Sequence, residues 1–153
     1  MKRYDKLIFV SNSDTCRGPM AEAVLKKKFL LDELVIESKG LVVLFPEPVN
    51  QKAEAVLAAK GINVKGHMSG QLEQGDFGER ILVLVMEESE KIKIYEEYDR
   101  AVNVYLLTEY IKERGDIPNP LGKGLADYGE CYELLDDLIT KLVVVLNEEE
   151  LLC

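Results

Sequence analysis

Residues 81–86, Ile-Leu-Val-Leu-Val-Met, constrain this chain more than any other stretch. An unbroken apolar run has no polar face to offer water, so it suits a central parallel strand covered on both sides. Shorter apolar runs at 6–10, 35–38 and 101–107 are further strand candidates. Helix-like segments lie between them. Residues 19–31 begin with Pro19 in the first turn, where its missing N–H costs nothing. Residues 48–60 carry Ala53, Val56, Leu57 and Ala59 on one face, and Gly61 stops them. Residues 87–98 read as a charged surface helix, and 125–146 as a long terminal helix followed by a fraying acidic tail. The stretch 108–124, with Pro118, Pro120 and glycines at 115, 122 and 124, reads mostly as loop. Strand alternating with helix is the pattern of an α/β fold with a parallel sheet, whose ligands sit at the carboxyl ends of the strands. Without a linker or internal repeat, the 153 residues read as a single domain, 1–153.

The formal charge of -9 excludes a general role in binding nucleic acid, whose phosphates such a surface repels. An anion site here must work through local dipoles and a few cations. Cys16, Cys131 and Cys153 show neither metal-ligand spacing nor a paired framework, so no metal and no cofactor are expected. No stretch is apolar for long enough to span a bilayer, and the N-terminus runs directly into a strand pattern rather than a signal peptide. The expectation is a cytoplasmic protein with reduced thiols and no membrane partner.

Between the first strand and the first helix lies Ser11-Asn12-Ser13-Asp14-Thr15-Cys16-Arg17-Gly18, followed by Pro19-Met20-Ala21-Glu22. A short polar loop in this position delivers backbone N–H groups to a helix N-terminus, where unpaired amides and the helix dipole attract anions. Arg17 adds a planar fork suited to bidentate phosphate contact. Residues 11–18 are therefore the candidate phosphate-binding segment. As pure spacing, the same stretch also fits a plain capped strand-to-helix turn with an exposed arginine.

The run Thr15-Cys16-Arg17 followed by Pro19-Met20-Ala21-Glu22 resembles the signature loop of the low-molecular-weight protein tyrosine phosphatases. The resemblance extends through Ser38 and Gly40, Glu47-Pro48, Gly61, His67 with Gln71-Leu72, and Leu82 to Met86. It continues through Asp116-Ile117-Pro118-Asn119-Pro120 to Tyr128 and Tyr132-Glu133-Leu134. It implies a three-layer sandwich with a central four-stranded parallel sheet flanked by helices. It also implies a phosphoric monoester hydrolase in which a loop thiolate attacks phosphorus, an aspartic acid protonates the leaving group, and a loop hydroxyl steadies the thiolate.

This chain departs from the pattern at each of those groups: Ser11 holds the nucleophile's place, Asn119 the general acid's and Gly18 the hydroxyl's. A thiol ionises near pH 8.5, and such loops draw it lower, whereas a serine hydroxyl needs a neighbouring base. Asn119 donates a hydrogen bond but transfers no proton. The expectation is a phosphatase-like protein that binds phosphate, or a phosphorylated protein or small molecule, through 11–18 and Arg17, with weak or absent hydrolysis. Two alternatives stand beside it: an active phosphatase using Ser11 or Cys16, and a scaffold using another surface. Asp14 stands where the family usually has asparagine; both tolerate a left-handed backbone, but a carboxylate weakens phosphate binding unless it points away. His67 reads either as a buttress of the loop or as a surface histidine. Phe45 is a candidate wall of the pocket, and Leu121 and Gly122 stand where aromatic residues often flank it.

Overall fold

The structure, a computed structural model, describes residues 3–28, 30 and 33–152. A four-stranded sheet, all parallel, forms its centre in the order β2-β1-β3-β4, from β1 (Lys6–Ser11), β2 (Val35–Gly40), β3 (Ile81–Val85) and β4 (Val104–Leu106). Strand β1 pairs with β2 through Leu7↔Ile36 and with β3 through Leu7↔Leu82, so it is flanked on both edges. The apolar run of the third strand occupies the interior position that its composition requires.

Side-chain alternation divides the core into two layers. Leu7, Phe9, Leu82 and Leu84 point to one side, beneath α1 (Arg17–Lys26), α2 (Gln51–Ala59) and the long helix α5 (Leu125–Leu152). In chain order α3 (Glu88–Glu97) and the short α4 (Leu107–Tyr110) come between α2 and α5. Ile8, Val10, Val83 and Val85 point to the other side, against Ile94 of α3, Phe77 and the β4 residues Val104 and Leu106. Helices on both faces of a parallel sheet make the expected three-layer sandwich. From α5, Leu135, Leu138, Ile139, Leu142 and Leu146 are buried in the first layer.

Several boundaries differ from the sequence reading. Helix α1 begins two residues early, at Arg17, so that Pro19 still lies in the first turn. It ends at Lys26, and the expected terminus at residue 31 falls outside the described residues. Helix α2 starts at Gln51 because Asn50 caps it, its side chain accepting from the N–H groups of Lys52 and Ala53. Strand β4 is shorter than 101–107 because Asn103 has a positive φ of 56°, which breaks the extension. The loop after it contains α4, and the tail that was expected to fray continues α5 to Leu152. Helix α3 is not purely a surface helix, since Glu90 is buried.

Candidate active site

Strand β1 ends beside β3 at the point where the strand order reverses, the place where α/β proteins hold their ligands. Residues 12–16 curl from the end of β1 into α1, and three carbonyls of the curl, those of Ser11, Asn12 and Thr15, are bonded to the surrounding backbone. Ser11 O accepts from Leu41 N–H at 3.1 Å, Asn12 O from Val42 N–H at 3.0 Å and Thr15 O from Asn50 N–H at 2.8 Å. Among the described residues, the amides of 12–18 have no hydrogen-bond acceptor. A loop whose oxygens are tied back and whose N–H groups are free has the form of an anion cradle.

Asp14 makes the curl possible with a φ of 58°. Its carboxylate is fully buried beneath the loop. Oδ2 accepts from Gly70 N–H at 3.0 Å and lies 3.5 Å from His67 Nε2. The same histidine nitrogen sits 3.3 Å from the Asp14 carbonyl oxygen, so His67 does buttress the loop. Burial works against a charged His67, but the hydrogen bonds and charge of Asp14, with Glu22 beyond, hold its pKa above the ordinary 6.5. Ser13 and Thr15 share a hydroxyl–hydroxyl bond of 2.8 Å.

The arginine is not the exposed residue of a plain turn: Arg17 is 2% exposed. Its Nη1 donates to Glu87 Oε1 at 2.9 Å and to the Ile117 carbonyl at 2.8 Å, and Nη2 donates to Glu90 Oε2 at 3.3 Å. Glu90 also accepts from the N–H groups of Met86 and Glu87, at 3.0 and 2.9 Å. Burial pushes the Glu90 carboxyl up, with Arg17 pulling against it. These two acids fix the guanidinium beside the loop and offset its charge, so the backbone amides carry more of the cradle's attraction than the sequence suggested. Nothing in the local pattern marked Glu87 and Glu90 as partners, because they lie 70 and 73 residues away along the chain.

Ser11, Asn12, Arg17, Asn119 and Leu121 line one small depression, so the loop and the segment around Asn119 do converge. Asn119 Oδ1 accepts from Leu121 N–H at 3.2 Å, which leaves its NH2 group as the donor. Cys16 lies with its side chain in the core, its Sγ 3.8 Å from Met20 Sδ, and burial pushes its thiol up to about 12. Phe45 is exposed and donates no buried wall.

Residues 6–151 match the family model described as low molecular weight phosphotyrosine protein phosphatase. The chain belongs to that family. Among curated relatives, the low molecular weight protein-tyrosine-phosphatase PtpB of Staphylococcus haemolyticus is 31% identical over 137 residues, 90% of this chain and 96% of the relative. Among solved structures, the YwlE arginine phosphatase from Geobacillus stearothermophilus superposes with a TM-score of 0.88 at 30% identity, covering 95% of each chain. A second YwlE arginine phosphatase structure, a cysteine-to-serine mutant with phosphorylated active site serine, has a TM-score of 0.87 at 29% identity, covering 97% of this chain and 99% of that one. The fold and the phosphatase family of this chain are therefore those that its loop motif implied.

Proposed function

We propose that this family member binds phosphate, or the phosphate of a phosphorylated protein or small molecule, through residues 11–18, and hydrolyses phosphomonoesters weakly or not at all. One observation carries the reading: Ser11, at the place where the family motif has its thiol, lines the same depression as Asn12, Ser13 and Arg17. The cradle is built, but the reacting group in it is a hydroxyl.

The chemistry of the two missing groups supports the loss of turnover. A serine hydroxyl is not a thiolate at neutral pH. Asn119 can neither protonate a departing alkoxide nor take a proton from an attacking water, and groups in that role contribute roughly 10²–10⁴-fold. The relative carrying a phosphorylated serine shows that, in that protein, a serine in such a site can hold a phosphoryl group. For Ser11 the corresponding state is an ester that forms once and persists. Activity through Cys16 is disfavoured by its burial and its raised pKa of about 12. Two buried free thiols, Cys16 and Cys131, fit the reducing conditions of a cytoplasm.

Amide resonances followed during titration with inorganic phosphate test the binding. Shifts concentrated on residues 12–18 are expected, and their absence would overturn the reading. An assay with an aryl phosphate tests the chemistry. The unaltered protein should show no repeated turnover, whereas Ser11→Cys combined with Asn119→Asp should recover it. Brisk repeated turnover by the unaltered protein would also overturn the reading.

A further inference from the structure

Among the described residues, three buried polar side-chain atoms find no hydrogen-bond partner: Ser11 Oγ, Asp14 Oδ1 and Ser38 Oγ. Two of them, with the Ser38 side chain beside them, border one position. A Cβ placed on Gly18 would lie 2.9 Å from Ser11 Oγ, 3.4 Å from Asp14 Oδ1 and 3.5 Å from Ser38 Cβ. The family's loop hydroxyl would project from residue 18 into this notch; the glycine leaves it unfilled. Unpaired polar atoms in the interior are costly, so so many around one glycine mark a site with a use.

The geometry points to Asp14 as the base that activates Ser11, across the notch at Gly18, for taking up a phosphoryl group from an activated phosphate. Asp14 is fully buried, and Gly70 N–H and His67 engage only Oδ2. Oδ1 is thus left as a fixed acceptor on the side of Ser11. Both oxygens border the unfilled space beside Gly18, where a single water, or a turn of the serine side chain about its Cα–Cβ bond, can link them. Asp14 stands where the family pattern has an asparagine, which accepts no proton, so this base and the serine it would serve occur together in this chain.

The inference rests on phosphate binding by residues 11–18 and assigns that site its first chemical step. Ser11 Oγ attacks phosphorus while its proton passes to the bridging water, which gives one of its own to Asp14 Oδ1. The new O–P bond forms as the bond from phosphorus to the leaving group breaks, and the leaving group departs with the electron pair. Asp14 ends as a carboxylic acid and Ser11 as phosphoserine. Because Asn119 supplies no proton, only leaving groups stable as anions can depart, which selects acyl and aryl phosphates. Asn119 activates no water for the second step either, so the ester remains.

The test is the intact mass of the full chain after incubation with acetyl phosphate or para-nitrophenyl phosphate, with peptide fragmentation to place the modification. One phosphoryl group on Ser11 is expected, absent in Ser11→Ala. Asp14→Asn keeps an oxygen for Gly70 N–H and should slow the transfer roughly 10²–10⁴-fold. Its half-saturating donor concentration should be unchanged or lower, because a negative charge near the anion has gone. A structural defect would raise that concentration instead. Gly18→Ala, which fills the notch, should slow the transfer in the same way. Equal rates in Asp14→Asn and the unaltered protein would overturn the role of Asp14. Phosphate-induced amide shifts without any phosphoserine would overturn the inference and leave phosphate binding standing. Absence of the shifts themselves would remove both.

Discussion

Arg17 shows how far a residue's role depends on what surrounds it. Its guanidinium pairs with Glu87 and with the buried Glu90, and it also holds the Ile117 carbonyl ahead of Asn119. It therefore pins the α3 N-terminus and the Asn119 segment to the loop. Removing it strands Glu90 as a buried acid, a loss that generally costs about 3–5 kcal/mol. Arg17→Ala is thus expected to lower the urea midpoint by a corresponding amount. Arg17→Ala combined with Glu90→Gln should recover part of the loss, a double-mutant comparison that separates charge stranding from lost packing. The convergence of the loop with Asn119 in one depression was legible in the sequence because a motif spells residues 11–18 consecutively and places Asn119 between two prolines. Glu87 and Glu90 were not legible, since charged residues near a helix start read as solvent-facing until the sheet brings them beside Arg17. The three unpartnered oxygens were also invisible: a glycine at 18 reads as a missing hydroxyl, and only three dimensions reveal that Asp14 faces what it left.

Among the elements, the end of β2 governs the loop. Gly40 pairs with Ser11 in register and accepts nothing larger at its Cα: a Cβ there would meet Val43 Cγ2 at 2.6 Å, the Ser13 carbonyl carbon at 3.0 Å and Asp14 Cβ at 3.1 Å. Val43 can rotate away, but the Ser13 backbone cannot move without opening the cradle. Gly40→Ala is expected to destabilise the protein by about 1–3 kcal/mol, the usual range for overpacking. It should also displace the amide resonances of residues 12–15 even without phosphate, and unchanged resonances would show that β2 does not set the loop's shape. The strand positions were readable because their apolar runs match a doubly covered sheet. Ends were less so. Asn50 stops α2 with its side chain, Asn103 shortens β4 with its backbone, and each choice depends on contacts that a hydrophobic pattern does not carry. The four-residue α4 was too short to leave a period.

For the molecule as a whole, His67 couples the loop to global stability. Its pKa is raised on folding, so its contribution is fully present below the unfolded value near 6.5 and is lost as pH rises through the folded value. The difference in urea midpoint between the unaltered protein and His67→Gln should therefore shrink as pH rises through that window. A difference that grows with pH would reverse the assignment. The three-layer architecture was legible as a whole from the alternation of runs, and the net charge of -9 directed attention to local dipoles and a few cations as the means of any anion site. What that charge did not disclose is the balance inside the device, where two carboxylates stand beside the single guanidinium. The loop grows directly from β1, a strand gripped along both edges, and its carbonyls are moored to Leu41, Val42 and Asn50. Its shape is therefore settled when the sheet forms, and a visiting ion would meet a finished mould instead of having to gather a slack chain around itself.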